Sequence, residues 1–361
     1  LSLVAANAAR VAIVGAGYFA QFHAQGWQDA GAQLVGVADV DQERARALAQ
    51  RFEIQTVSSQ LEALLEQRPG LVDVVLPPQA QDTVVRQALA AGVPVVCQKP
   101  FGSDWAQACA LSAHAQSLGL PLVVHENFRF MPWFRECHRL LHSGRLGRVH
   151  GISFRLRPGD GQGADAYLSR QPSFRTMPQL LVRETAVHFI DVFRYLCGEV
   201  HAVTARLRRL NPVVAGEDSG IVIFEFDDNR LGLFDGNRLN EHPAQDLRRT
   251  MGEMWLEAEA GVLRLDGEAR LWFKPHGSLE QPLAYEQGPS DRVFGGAVGA
   301  LQAHVLAHLE HGAALENAAH DYLANLRVQA AIYHSHAQGR RVELASFTPP
   351  SAEPFTPGDT P

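Results

Sequence analysis

The chain has 361 residues and a mass of 39.5 kDa, more than one hydrophobic core usually organises, so two domains are expected. Hydrophobic residues make up 46% and charged residues 20%, with a formal net charge of −7. That balance describes a globular protein and argues against nucleic acid or an anionic membrane as partner, leaving a small-molecule ligand. Four cysteines, Cys97, Cys109, Cys137 and Cys197, show no C-x-x-C spacing, which suits reduced thiols in a cytoplasmic protein and supports neither a metal site nor a disulfide frame.

In chain order, residues 1–10 lack a basic start and a long apolar stretch, so they read as a ragged lead-in and not as a signal peptide. No apolar run approaches the roughly 18 residues needed to span a bilayer. From residue 10 to 130, apolar runs at 11–15, 34–39, 72–77, 93–98 and 120–126 alternate with helical patterns at 18–30, 42–52, 60–67, 79–91 and 104–118. Strands that are apolar throughout, with helices between them, predict a doubly wound parallel sheet: an α/β Rossmann domain over residues 10–130.

The first strand runs into Gly15-Ala16-Gly17-Tyr18-Phe19-Ala20, a G-x-G-x-x-A turn. Gly15 permits the tight turn, Gly17 lets backbone approach a pyrophosphate, and Ala20 allows close packing of helix on strand. Asp39 ends the second strand at about the offset expected of a ribose-binding acid, and its carboxylate favours NAD over NADP. The fourth strand ends in Gln98-Lys99-Pro100-Phe101-Gly102. The carboxyl edge of such a sheet is where ligands bind, and a cation there can polarise an oxygen on the reacting carbon.

Beyond residue 146 the runs at 149–157, 201–210, 219–228, 230–239 and 254–267 alternate apolar and polar residues, predicting a mostly antiparallel open sheet with one wetter face. Helical patterns at 177–197, 291–311 and 316–338 complete an α+β substrate-binding and oligomerisation domain over residues 131–345, and a Pro-rich tail at 346–361 is expected to be flexible. Within the first of these helices Glu184 and His188 are four apart, with Asp191 along the same face. A carboxylate beside an imidazole makes a proton-handling unit, and a surface helix with an i,i+4 Glu–His pair reads the same segment equally well. A metal reading finds no H-E-x-x-H or paired-histidine pattern in a site-like context. Arg129, Arg155, Arg157, Arg170, Arg175 and Arg183 concentrate where the two domains would adjoin. Guanidinium forks match carboxylates, so Arg129, Arg157 and Arg175 are candidates for binding an acidic sugar, while internal salt bridges account for them as well.

With these features in place, residues 10–340 resemble the Gfo/Idh/MocA family of NAD(P)-dependent oxidoreductases. The likeness rests on the G-x-G-x-x-A turn with Asp39, the strand ending in Lys99-Pro100, and the acid-x-x-x-His helix ending in Asp191. It implies hydride transfer between nicotinamide and a carbinol or carbonyl carbon of a sugar, sugar acid or polyol. It implies Lys99 on substrate and nicotinamide ribose, His188 as acid/base, and Glu184 as its partner. Leu76, Pro77 and Pro78 would bridge adenosine and nicotinamide, and Asn127 would line the nicotinamide pocket beside Gln98. Tyr18 and Phe19 belong to the same cofactor turn. A homodimer or homotetramer is expected. Two departures stand out: Gln98 replaces the family's usual Glu, and Glu184 its usual Asp. The scaffold also leaves open a non-catalytic NAD-binding regulator and an NAD-dependent glycoside hydrolase.

Overall fold

The computed structural model describes residues 9–351. The expected lead-in at 1–8 and the part of the expected tail from 352 onward lie outside those residues. The described residues divide into two compact units, 9–127 with 296–324, and 128–295 with 325–351.

The first unit is built on six parallel strands: β1 (Arg10–Val14), β2 (Gln33–Ala38), β3 (Val57–Ser58), β4 (Leu71–Val74), β5 (Val95–Gln98) and β6 (Leu122–His125), in the order β3-β2-β1-β4-β5-β6. This is the doubly wound order that reverses between β1 and β4. Every residue of β4 and β6 is buried, as expected when helices cover both faces. Asp73 in the middle of β4 breaks the apolar run and is itself fully buried. Helix starts follow capping chemistry. Asp41 accepts the N–H groups of Glu43 and Arg44 ahead of helix Gln42–Phe52, and Asp104 accepts the Gln107 N–H ahead of helix Trp105–Leu118.

The sequence pattern assigned residues 131–345 to the second domain, but the structure returns Gly296–Ala324 to the first unit. The physical reason is a close crossing of helices Ala20–Asp29 and Ala297–His311. A Cβ on Gly26 would lie 2.1 Å from Gln302 Oε1 and 3.1 Å from Gly299, so two glycines let the backbones meet. Gln302 donates to the His23 carbonyl across the same crossing.

The second unit carries nine strands, β7 (Val149–Leu156), β8 (Ala202–Arg208), β9 (Ser219–Glu225), β10 (Leu231–Asn237), β11 (Gly252–Ala258), β12 (Gly261–Leu265), β13 (Leu271–Pro275), β14 (Gln281–Leu283) and β15 (Val342–Glu343). Their order is β14-β13-β12-β11-β7-β10-β9-β8-β15, with β7 and β10 parallel and the other neighbours antiparallel. The run expected at 254–267 is a hairpin, β11 and β12, turning at Glu259 and Ala260. One sheet face packs on helix Val187–Cys197 through Phe189 with Phe154 and Phe234, and Phe193 with Phe224. On the other face, Ile221, Ile223, Leu231 and Leu233 are exposed. The start of the expected flexible tail is packed: Phe347 is buried and its carbonyl accepts two bonds from the Arg327 guanidinium. All four cysteines are unpaired, and no described helix is long and apolar enough to cross a membrane.

Candidate active site

In the first unit, Gly15 has φ +105 and a Cβ there would lie 2.2 Å from the Val75 carbonyl oxygen, so the turn admits no side chain. Beyond Gly17 a Cβ would meet nothing within 4 Å. The helix that follows, Ala20–Asp29, has no side-chain cap, unlike the two helices capped by aspartate. The Ala20 and Phe22 N–H groups bond the carbonyls of Gly17 and Phe19, while the space beside Gly17 stays unfilled, an approach suited to a pyrophosphate at a helix start. Asp39 is held beside it, its two oxygens accepting the N–H groups of Ala16 at 2.6 Å and Asp41 at 2.8 Å. Each carboxylate oxygen keeps a further acceptor direction for ribose hydroxyls. Arg44, the nearest following cation, pairs with Asp41 at 3.0 Å. Tyr18 is half exposed and packs edge-on to Phe22.

Across the same strand edges, Leu76 and Pro77 follow β4, and Gln98 and Lys99 close β5. A fully buried amide, Gln81, fixes this edge. Its Nε2 lies 2.8 Å from the Gln98 carbonyl oxygen, 3.1 Å from that of Pro100 and 3.1 Å from that of Leu76, and its Oε1 accepts the Gly102 N–H. Lys99 is thus carried on backbone tied to its neighbour strand. Asn127, following β6, is 97% buried (3% exposed), and its Nδ2 has no hydrogen-bond partner among the described residues. A buried carboxamide donor left open is what a bound ligand's carbonyl would satisfy. These groups fit NAD: an open phosphate approach, an acid for the ribose, and an orphaned amide for the nicotinamide end.

In the second unit, the expected single helix at 177–197 is a π turn, Leu181–Ala186, joined to an α-helix, Val187–Cys197. Glu184 lies in the π turn and His188 in the first α turn, so the single 3.6-residue face assumed for them does not run through the junction. The turn is anchored by buried charge. Glu217 accepts the N–H groups of Leu180 and Val182 and the Tyr333 hydroxyl, and burial pushes its carboxyl up from the usual range against the pull of those bonds. Arg238, almost fully buried, donates to Thr185 Oγ1 within the turn, and to Asp160 and Tyr167. The His188 ring stacks face to face on Phe128, 3.9 Å between centroids and 6° between planes, which fixes its plane.

Several residues expected at the site have partners within the protein. The Asp191 carboxylate does not extend a proton relay. It accepts a bidentate pair from Arg129 at 2.7 Å and 2.7 Å and a bond from Asn325 at 2.7 Å, while fully buried. Arg129 is thereby taken up internally. Arg157 is buried and pairs with Asp235 at 2.6 Å while donating to the carbonyls of Leu156 and Asp235. Both guanidiniums are engaged within the protein, Arg129 forked onto Asp191 and Arg157 on the Asp235 carboxylate and two backbone carbonyls. Arg170 pairs with Asp160, and Arg175 donates to the Ala164 carbonyl. Gln81, His23, Asp73 and Phe128 escaped the sequence reading. One signal was there to be read: among 32 basic residues only Lys99 and Lys274 are lysines, so the strand-end cation stands apart from thirty arginines.

Comparison with known proteins identifies both units. Residues 9–126 match the oxidoreductase family model described as an NAD-binding Rossmann fold, and residues 134–256 match the GFO/IDH/MocA C-terminal domain. D-apiose dehydrogenase of Paraburkholderia graminis is 30% identical over 93% of this chain and 90% of its own length. D-apiose dehydrogenase of Rhizobium rhizogenes is 26% identical over 93% and 97%. An oxidoreductase from Agrobacterium radiobacter, solved with NAD+, L-tartaric acid and magnesium, superposes with a TM-score of 0.84 at 25% identity over 93% of this chain and 98% of that one. The chain belongs to the GFO/IDH/MocA family and is an NAD-dependent oxidoreductase.

Proposed function

We propose that the enzyme is a dehydrogenase of a neutral sugar or polyol, with Lys99 and His188 both acting on the oxygen of the carbinol being oxidised. The observation that carries the reading is the strand-end lysine, one of two in the chain, held by Gln81 at the edge that also presents Asn127 and Asp39. The likeness to D-apiose dehydrogenases over 93% of the chain supports a sugar. The internal pairing of Arg129 and Arg157 favours a neutral ligand over an acidic one.

Bound NAD supplies the hydride acceptor at its nicotinamide ring. Asp39 would take the ribose hydroxyls, Gly15 and Gly17 would leave room for the pyrophosphate, and Asn127 would satisfy its open donor on the nicotinamide end. His188 takes the hydroxyl proton, and Lys99 stabilises the developing negative charge on oxygen. Four unpaired thiols favour the cytoplasm. The apolar face bearing Ile221, Ile223, Leu231 and Leu233 supports self-association through the open sheet. Light scattering should find a dimer or tetramer that Ile223→Lys weakens.

The test is a panel of D-apiose, myo-inositol, L-tartrate and uronates with NAD reduction followed optically. Lys99→Ala and His188→Ala are each expected to lower turnover by about 10²–10⁴-fold while NAD binding stays near the parent value. Preference for uronates or tartrate would remove the neutral-ligand reading, and unchanged turnover in either variant would remove that residue from the chemistry.

A further inference from the structure

Gln98 ends β5 half-buried, and its side chain turns inward from Lys99. Its Oε1 accepts the Lys99 backbone N–H at 2.7 Å. A backbone N–H can only donate, so this contact settles which end of the carboxamide is oxygen and leaves Nε2 facing His23 Nε2 at 3.0 Å. The carboxamide nitrogen also only donates; His23 Nε2 must therefore accept, and carries no proton. The imidazole proton sits on Nδ1 and goes to Asp73 Oδ2 at 2.7 Å. Trp27 Nε1–H donates to the same oxygen at 2.6 Å. Trp27, His23 and Asp73 are all fully buried. The His125 ring lies tilted against His23 at 4.0 Å between centroids, and Phe19 meets it edge-on. Cys97 lies close enough to Asp73 for the carboxylate to add to the burial that pushes its thiol up.

We propose that Asp73, His23 and Gln98 form a one-directional hydrogen-bond chain that positions Lys99, with Asp73 setting its sense and the Lys99 N–H donating into its far end. The proposal rests on the reading of Lys99 as catalytic, and its three members are positioning residues. Without the Asp73 acceptor, the Nε2–H tautomer of His23 becomes available and confronts the Gln98 amide hydrogens. The carboxamide then turns over, and the Lys99 N–H meets an NH2 group in place of a carbonyl oxygen.

The two lysines make this directly measurable, since lysine labelled with 15N gives two backbone amide signals, assigned by Lys274→Arg. In Asp73→Leu, an apolar side chain of similar length on a buried strand, the Lys99 amide proton is expected to shift upfield while Lys274 stays. Turnover on the sugar chosen by the panel is expected to fall about tenfold or more, at unchanged NAD affinity, as for a misplaced reacting group. In Asp73→Asn the Trp27 donor holds the new amide's oxygen toward His23, and its NH2 takes the place of Oδ1, which has no partner among the described residues. The Lys99 signal is therefore expected to return to its wild-type position. Should Asp73→Leu not fold, Gln98→Met cuts the chain at its half-buried end and is expected to move the same signal. A stationary Lys99 signal in Gln98→Met, or equal shifts of both lysines, overturns the chain. Full turnover in Lys99→Ala would instead sink the catalytic reading and leave the amide shifts to decide the chain by themselves.

Discussion

The two units hold their candidate catalytic groups by different means. Lys99 is carried on backbone stitched by neutral amides: Gln81 across to three strand-end carbonyls, Gln98 to the lysine's own N–H. His188 sits where a π turn meets an α-helix, and the turn and helix are pinned by buried charges, Glu217, Arg238 and the Arg129–Asp191 pair. A hydrogen bond between neutral groups adds about 1 kcal/mol and is lost locally. A buried ion pair broken on one side leaves an uncompensated charge and costs about 3–5 kcal/mol. The segment that carries His188 should therefore be more brittle to the loss of a partner than the amide contacts of Gln81 and Gln98 that carry Lys99.

The largest expected effect tests that contrast directly. Asp191→Ala removes the carboxylate that Arg129, 14% exposed, binds through two N–H groups, and also strips Asn325 Nδ2 of its acceptor. Destabilisation of about 3–5 kcal/mol is expected in a denaturant titration, against about 1 kcal/mol for the half-buried Lys99→Ala. Equal losses in the two variants would erase the distinction between the units.

The same contrast explains what could be read from sequence. The first unit was legible because its signals are local: buried parallel strands run apolar without interruption, and Asp41 and Asp104 mark helix starts within three residues of the bonds they make. The second unit's helix was legible as apolar and helical but not as a π turn, because what imposes the turn comes from Glu217, Arg238 and Tyr333, far along the chain. Arg129 looked available because its partner Asp191 lies 62 positions away, and Arg157 because Asp235 lies 78 away. Residues 296–324 were misassigned for a related reason. Nothing in a helical pattern says that Gly299 will be received by Gly26.

A smaller effect sharpens the electrostatic side. Burial holds the folded-state pKa of Glu217 above its unfolded value. The native state then binds the proton more tightly, so this group's contribution to stability is fully present below the ordinary carboxylate range of about 4 and is lost as pH rises through the folded value. Glu217→Gln carries no charge at any pH, and its unfolding midpoint is expected to lose that part of the parent's decline with rising pH. An unchanged slope in the variant would assign the pH dependence elsewhere.

The smallest effect concerns a contact that carries no charge at all. Phe128 lies on the chain just past Asn127, and its ring lies flat on His188 at 3.9 Å. Phe128→Leu preserves apolar volume but removes the flat partner, a loss of about 0.5–1.5 kcal/mol. If the stack only fills space, turnover per folded molecule should match the parent and the melting temperature alone should drop. If it holds the imidazole plane for proton transfer, turnover should fall further than the folded fraction does, with NAD affinity unchanged. The second outcome is expected, because neighbouring Phe189 and Phe294 still pack the Phe128 site from the side and leave the face of His188 as the surface without a matching ring.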